Sequence, residues 1–254
     1  MATPADHALA ADLATRAGTL LLAIRARLAA DGAPAALLKH EGDQSSHDFL
    51  MAALAEHRPG DAVMSEEGTA HAVHPDRSGA ERTWIVDPVD GTREYSEPPR
   101  SDWAVHVALV EAGRPTAGAV ALPALDLTLS TVGPPAAAGF PPVGTSPRMV
   151  VSRSRPPAEA LAVCAALGGE LVEMGSAGAK AMAVVRGEVD AYVHSGGQYE
   201  WDSCAPVAVA EAAGLHTSRI DGSPLVYNCP DPYLPDLVIC RGELADAILS
   251  ALAG

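Results

Sequence analysis

Asp87 and Asp90 stand three residues apart in the stretch WIVDPVDGTREYS (84–96), separated by Pro88 and Val89 and followed by Gly91 and Thr92. Trp84, Ile85 and Val86 read as a short buried strand, and Asp87 must leave it extended because the ring of Pro88 disfavours helix in the residue before it. The chain then turns at Asp90-Gly91, and Thr92 suits the start of a helix that Arg93 and Glu94 would extend. Two carboxylates in so small a space repel and raise one another's pKa unless a cation lies between them. On this stretch alone two readings stand level: a divalent-cation site, or a plain turn that the acids, the proline and the glycine merely punctuate.

Two more acidic places bear on the choice. VMSEEG puts Glu66 and Glu67 just after a short strand, 62–64, and EWDSCAPVAVAEAAG puts Asp202 at the N-cap of a helix that Gly214 would end. Singly, each is an ordinary loop or helix-entry signature. Together with DPVDGT they supply carboxylates on short loops, the hard oxygen donors that magnesium takes while keeping some of its water. Other hydrolytic chemistries lack their residues. The nine histidines show neither HxxxH nor HExxH spacing, and GxSxG and the P-loop are absent. Cys204, one helical position into an apolar face, reads as packing rather than as a nucleophile. A glycosidase would need two acids with opposed protonation roles, which acids clustered beside Asp-Gly-Thr do not suggest.

The elements that position these acids follow from the apolar pattern. Leu9, Leu13, Ala17, Leu20, Ile24 and Leu28 mark a long amphipathic helix ending near Asp31-Gly32, and a second helix is expected from about His47 to Glu56. Antiparallel strands are expected around 103–109, 117–122 and 125–132. The segment 133–147, GPPAAAGFPPVGTSP, holds neither helix nor central strand. It marks a boundary between an α+β half, residues 1–140, and an α/β half, residues 141–254. The second half alternates strand and helix, with strands near Met149, Leu171, Ala191 and Leu237 and helices near Ala158, Ala179, Ala205 and Leu244. A loop near the site is expected over Thr69–Arg82.

With 254 residues, 48% of them apolar, the chain can bury a sizeable core. A net charge of −15 argues against binding a nucleic-acid polymer, and admits an anionic substrate only where bound cations reverse the local sign. The first residues show no secretory signal pattern, and no apolar run approaches the roughly 20 residues of a membrane span. Cys164, Cys204, Cys229 and Cys240 form no CxxC pair. Reduced cysteines and a cytoplasmic location are expected.

The ordered set of a strand with Glu-Glu, DPVDGT, and Trp-Asp before a helix resembles the inositol monophosphatase superfamily of magnesium-dependent, lithium-sensitive phosphatases, over roughly Leu9 to Ile248. The fold this implies is α+β, a layered α-β-α-β-α sugar-phosphatase architecture. DGTREYS is similar to the DGT[KR]EF of bisphosphate nucleotidases and WDSCAPVAV to their WDTCAPE, while GSAGAK, VVSRSR and GSPLVYN resemble the bacterial CysQ-type branch. The implied reaction is hydrolysis of the 3′-phosphate of 3′-phosphoadenosine 5′-phosphate to AMP. Inositol or fructose phosphates are the alternative substrates on the same site, and a non-catalytic nucleotide or metal sensor is the alternative of another class. A sensor predicts loss of a metal ligand or of the threonine, whereas Glu66, Asp87, Asp90, Thr92 and Asp202 are all present.

The resemblance also implies roles. Glu66, Asp87 and the Val89 carbonyl would hold one Mg²⁺, and Asp87, Asp90 and Asp202 a second; a third near Glu66 and Asp43 stays open. Gly91 and Thr92 would receive the phosphate, and Thr92 would orient the attacking water with an acid partner. The family's Asp-x-x-[VT]-T-x-x-Asp segment is replaced by HEGDQSSHDFL, which offers Asp43 with Asp48 as competitor. Arg93, Ser152, Arg153, Arg155, Ser176, Lys180, Glu200 and Asp202 match positions near substrate, although the arginines could simply be solvated and Lys180 could snorkel from its helix. A phosphorylated small molecule is the expected partner, and a homodimer the candidate assembly.

Overall fold

The computed structural model describes residues 1–68, 76, 77 and 79–254. Helix α1 (Pro4–Ala30) buries Leu13, Ala17, Leu21, Ile24 and Leu28 along one face. Thr3 and Asp6 cap it reciprocally: the Thr3 N–H donates to the Asp6 carboxylate at 2.8 Å and the Asp6 N–H to the Thr3 hydroxyl at 3.3 Å. It ends where expected, at Asp31, with Gly32 left-handed at φ 65°.

Helix α2 spans Ala35–His57, so it begins at Ala35 and not near His47. The missed part opens on Ala35–Leu38, with Leu38 buried, and then runs through Lys39, His40, Glu41, Asp43 and Gln44, where no apolar stripe continues. Gly42 lets α2 come close to Tyr95, whose Cε1 would lie 2.5 Å from a Cβ at 42. Ser46 then donates to the Pro88 carbonyl at 2.8 Å.

The first sheet runs in chain order: β1 (Ala62–Ser65), β2 (Arg82–Asp90), β3 (Ala104–Glu111), β4 (Arg114–Leu122) and β5 (Leu127–Ser130). β1 and β2 are parallel and the remaining pairs antiparallel. β2 does not stop at Val86. It continues to Asp90 through a register shift against β3 between Asp87 and Asp90, where the absent N–H of Pro88 is tolerated. One short turn, α3 (Thr92–Tyr95), follows. Of the loop expected over 69–82, residues 69–75 and 78 lie outside the described residues, and Arg82 already belongs to β2.

The second sheet has the order β7-β6-β8-β10-β9. Its strands are β6 (Arg148–Ser152), β7 (Glu170–Met174), β8 (Ala191–Ser195), β9 (His216–Ser218) and β10 (Asp236–Cys240). β6 is parallel to β7 and β8, while β10 is antiparallel to β8 and β9. Helices α4 (Ala158–Ala166), α5 (Ala177–Val185), α6 (Glu200–Ala212) and α7 (Ala245–Leu252) alternate with these strands as the pattern predicts. The addition is β9, three residues long and too short for an apolar period.

Buried clusters define five layers. The outer pair α1 and α2 packs on one face of the first sheet through Leu13, Leu21, Leu50, Trp84, Val86 and Leu109. Its other face, with Ile85, Ala108 and Val120, meets α5 and α6, and those helices meet Val150, Tyr192 and Ile239 of the second sheet in the same cluster. Met149, Val193 and Val238 on the far face of that sheet pack with Val163 and Ile248 of α4 and α7. The architecture is therefore α-β-α-β-α. No helix among the described residues is long and apolar enough to cross a membrane.

Candidate metal and phosphate site

The end of β2, the start of α3 and the first turns of α5 and α6 converge on one acidic point. Asp87 and Asp90 arrive on β2 and Asp202 on α6, and one carboxylate oxygen from each lies within 4.8 Å of the others. Asp202 is not the N-cap expected from the sequence. Tyr199 holds that place, its N–H donating to Asp202 at 2.7 Å, so the aspartate sits one turn in and faces the cluster. Glu66, just beyond β1, hydrogen-bonds the Asp87 carboxyl. Two acids in such contact must share a proton or a cation.

The electrostatics agree with that crowding. Burial, then repulsion from Glu66, Asp90 and Asp202, drives Asp87 well above the usual carboxylate range. Burial and the Asp90 charge raise Asp202 to about 7, and burial with Asp90, Glu67 and Asp43 raises Glu66 to about 7 against the relief of its bond to Asp87. Asp90 goes the other way. Burial would raise it too, but His106, Ser176 and Lys180 outweigh that and hold it down to about 2.

The start of α5 explains this. Asp90 Oδ2 accepts the Ser176 hydroxyl and the Gly178 N–H, each at 2.5 Å, and Oδ1 accepts the Ala177 N–H at 3.0 Å. Helix N–H groups are positive partial charges, so an anion there is stabilised. His106 on β3 completes the grip with Nε2 3.1 Å from Asp90 Oδ2, while Nδ1 donates to the Trp201 carbonyl at 2.9 Å. Both nitrogens face acceptors, which fits the upward pull of Asp90 on an imidazole that burial alone would discharge. The sequence reading passed over His106. The available signal was one titratable residue inside the apolar run WAVHVALV.

Thr92 lies half-buried after Gly91, which is left-handed at φ 81° and would bring a Cβ within 3.0 Å of the Ser176 Cβ. The Thr92 hydroxyl is 3.1 Å from the Val89 carbonyl and also reaches Asp43 on α2. One hydroxyl proton serves only one of those acceptors at a time. Burial and the Glu67 charge raise Asp43 to about 7, with the Thr92 bond opposing. Asp48 is elsewhere: exposed and accepting from Gln44 at 2.8 Å.

Beside the acids opens a cavity of about 530 Å³, lined among others by Gly91, Arg93, Ser152, Arg155, Ser176, Lys180 and Asp202. Lys180 does not snorkel outward. Its ammonium is buried, donates to the Gly175 carbonyl at 3.2 Å and to the Ser176 carbonyl, and stands 5.3 Å from the centre of the Tyr192 ring. Arg155 is exposed at the wall. Two expected substrate residues are occupied differently. Arg153 is paired with Glu94 at 2.7 Å and Glu97 at 3.4 Å, and the buried Glu200 carboxylate accepts the N–H groups of Asn228 and Cys229 at 2.5 and 2.8 Å. Arg93 lines the cavity but pairs with Glu97 at 3.1 Å. Unforeseen wall residues are His194 and Gln198. His194 Nε2 lies 2.8 Å from the Gly196 carbonyl and must donate to it, so Nδ1 is an acceptor. Gln198 donates to the Tyr192 hydroxyl at 3.0 Å, and both His194 Nδ1 and Gln198 Oε1 are buried without a partner among the described residues.

Three clustered carboxylates, two of them pushed upward by burial and then by mutual repulsion, fit a divalent cation with oxygen preference better than they fit each other. Comparison with known proteins decides the family, since the inositol monophosphatase family model matches residues 7–138 and 144–253. The chain belongs to the inositol monophosphatase family. Within it, the chain is 50% identical over 259 residues to the 3′-phosphoadenosine 5′-phosphate phosphatase of Mycobacterium leprae, covering 97% of this chain and 93% of that protein. It is 30% identical over 200 residues to the 3′(2′),5′-bisphosphate nucleotidase CysQ of Escherichia coli K12, covering 76% of this chain and 80% of that protein. In fold it is similar to an inositol monophosphatase from Zymomonas mobilis, with a TM-score of 0.79 at 22% identity over the whole of both chains.

Proposed function

We propose that this chain is a Mg²⁺-dependent phosphatase that removes the 3′-phosphate of 3′-phosphoadenosine 5′-phosphate, giving AMP and phosphate. The observation that carries the reading is the carboxylate cluster of Asp87, Asp90 and Asp202 opening onto a cavity walled by Lys180 and Arg155. An acidic centre handles an anionic phosphate only with cations between them, and a basic wall suits a second phosphate on the same substrate. The 50% identity to a phosphatase named for this nucleotide supports the substrate.

Glu66, Asp87 and the Val89 carbonyl would hold one Mg²⁺, and Asp87, Asp90 and Asp202 a second. When bound, the ions neutralise phosphate charge and acidify the attacking water. The chain's own residues do the rest. Thr92 orients the water through its hydroxyl, and Asp43, close to neutrality in pKa, takes up the proton that Thr92 passes on. Gly91 leaves the approach to the α3 backbone open. At the far wall, His194 Nδ1 and Gln198 Oε1 offer two acceptors to the hydroxyl or amino donors of a nucleoside, and Lys180 and Arg155 meet its 5′-phosphate.

The test is phosphate release from 3′-phosphoadenosine 5′-phosphate, inositol 1-phosphate and fructose 1,6-bisphosphate, each with Mg²⁺ and with chelator. The nucleotide is expected to lead by at least about tenfold in kcat/KM, roughly 1.4 kcal/mol of transition-state discrimination. A sugar phosphate in front overturns the substrate assignment, and no Mg²⁺-dependent release from any of them overturns the activity.

A further inference from the structure

We propose that His106 is a positioning residue that sets the Asp90 carboxylate and the first turn of α6 relative to one another, and so fixes the geometry of the cation site. The inference rests on the metal reading given above. His106 lies on β3, opposite Asp87 in the antiparallel register, and is fully buried. One ring nitrogen faces Asp90 Oδ2 at 3.1 Å and the other faces the carbonyl of Trp201, the residue before Asp202, at 2.9 Å. One imidazole therefore touches the strand that brings two of the clustered acids and the helix that brings the third.

A second observation shows how closely this bridge is built. A Cβ on Gly178 would fall 2.0 Å from His106 Nε2 and 3.1 Å from Asp90 Oδ2. The start of α5 reaches Asp90 only because residue 178 carries no side chain, and the ring occupies the space beside it. Of the roughly four lone-pair positions on a carboxylate, the two on Oδ2 are taken by Ser176 and Gly178, with His106 Nε2 in charge contact beside them at 3.1 Å, and Oδ1 gives one to Ala177. The remaining position is on Oδ1. With Oδ2 enclosed by Ser176, Gly178 and the His106 ring, Asp90 offers a cation one oxygen instead of two. Residues that hydrogen-bond to metal ligands commonly change metal affinity by 10- to 100-fold when removed.

The experiment uses Mn²⁺ as the probe ion, titrated calorimetrically into the full-length protein, with circular dichroism to confirm the fold. His106→Phe keeps ring volume and removes the hydrogen bond to Trp201 and the charge contact with Asp90; His106→Gln retains one donor. Mn²⁺ affinity is expected to fall by at least about tenfold in His106→Phe and to recover in part in His106→Gln. The Mg²⁺ concentration for half-maximal rate should rise in step, with the substrate KM at saturating Mg²⁺ within about twofold of the parent. Gly178→Ala, which displaces the ring without deleting it, is expected to weaken Mn²⁺ in the same way and serves where His106→Phe does not fold. Native Mn²⁺ affinity in a folded His106→Phe or Gly178→Ala protein overturns the proposal. Absence of Mn²⁺ binding by the parent protein would instead overturn the metal reading itself, so the two failures are separable.

Discussion

The carboxylate of Asp90 and the hydroxyl of Ser176 lie 2.5 Å apart, joined across 86 residues of chain. Asp90 ends a strand of the first sheet and Ser176 caps the helix that follows a strand of the second, so the acidic point exists only when both sheets are in place. Asp90 is also the cluster's one carboxylate held down to about 2, which makes it the anion available to a cation at any working pH.

Asp90→Asn should therefore abolish most Mg²⁺-dependent turnover, by about 100-fold or more. The asparagine oxygen can still accept from α5 while its NH₂ cannot. Circular dichroism should show the native fold, and phosphate release at saturating Mg²⁺ measures the loss. Rates near those of the parent would refute the role.

Asp43 and Asp48 are separated by one measurement. Asp43 stands beside Thr92 and is raised, chiefly by burial, to about 7, whereas Asp48 sits exposed with Gln44. Asp43→Asn is expected to lower kcat by roughly 10²- to 10⁴-fold. Asp48→Asn should leave kcat within about twofold, and the reverse order would place the proton acceptor at Asp48.

The pH dependence follows from the raised acids. Asp43, Glu66 and Asp202 each move up to about 7, chiefly through burial, so the folded protein binds more protons than the unfolded chain. These groups cost nothing below the unfolded value near 4 and destabilise progressively as pH rises through 7. Metal-free protein should thus melt lower at pH 8 than at pH 5.5, and Mg²⁺ should raise Tm more at pH 8, because the ligands are then deprotonated. Thermal melts with and without chelator check both signs; a larger Mg²⁺ effect at pH 5.5 would contradict the assignment.

Gly91→Ala should destabilise by about 1–2 kcal/mol, the usual penalty for a side chain in the left-handed region. The added methyl also crowds Ser176 at 3.0 Å. Denaturant unfolding gives the stability change, and a parallel rise in substrate KM is expected because the phosphate would approach this same backbone.

Arg153 and Arg155 make a contrasting pair. Arg153 is spent on Glu94 and Glu97, while Arg155 stands at the cavity wall. Arg155→Ala should raise the KM for a bisphosphorylated nucleotide by about tenfold, a change that Arg153→Ala should not match. Steady-state kinetics on both variants decides.

The site's acids were legible in sequence because chemistry of this kind needs particular residue types at short spacing: DPVDGT carries its two carboxylates within four residues. The long apolar helix and the alternating second half were legible for the same reason, as strong periodic patterns. What escaped was set by distant contacts. α2 opens on apolar Ala35–Leu38, with Leu38 buried, but the polar run 39–46 that follows shows no apolar period, and only Gly42 hints at its approach to Tyr95. Glu200 matched a substrate position by neighbourhood, yet its carboxylate is claimed by backbone N–H groups 28 and 29 residues away. His106 could not be paired with Asp90 and Trp201 until three elements were brought together.

The helix layer α5–α6 buries apolar surface against the first sheet on one side and the second sheet on the other, in a single cluster. A chain severed within the proline-rich segment 133–147 would leave the first fragment with one bare sheet face and the second with two bare helices. Neither has a partner for that surface except the other. Mixed together, the fragments should seek each other out and restore a working enzyme, so that the acidic point could serve as a reporter of reunion between two separately made polypeptides.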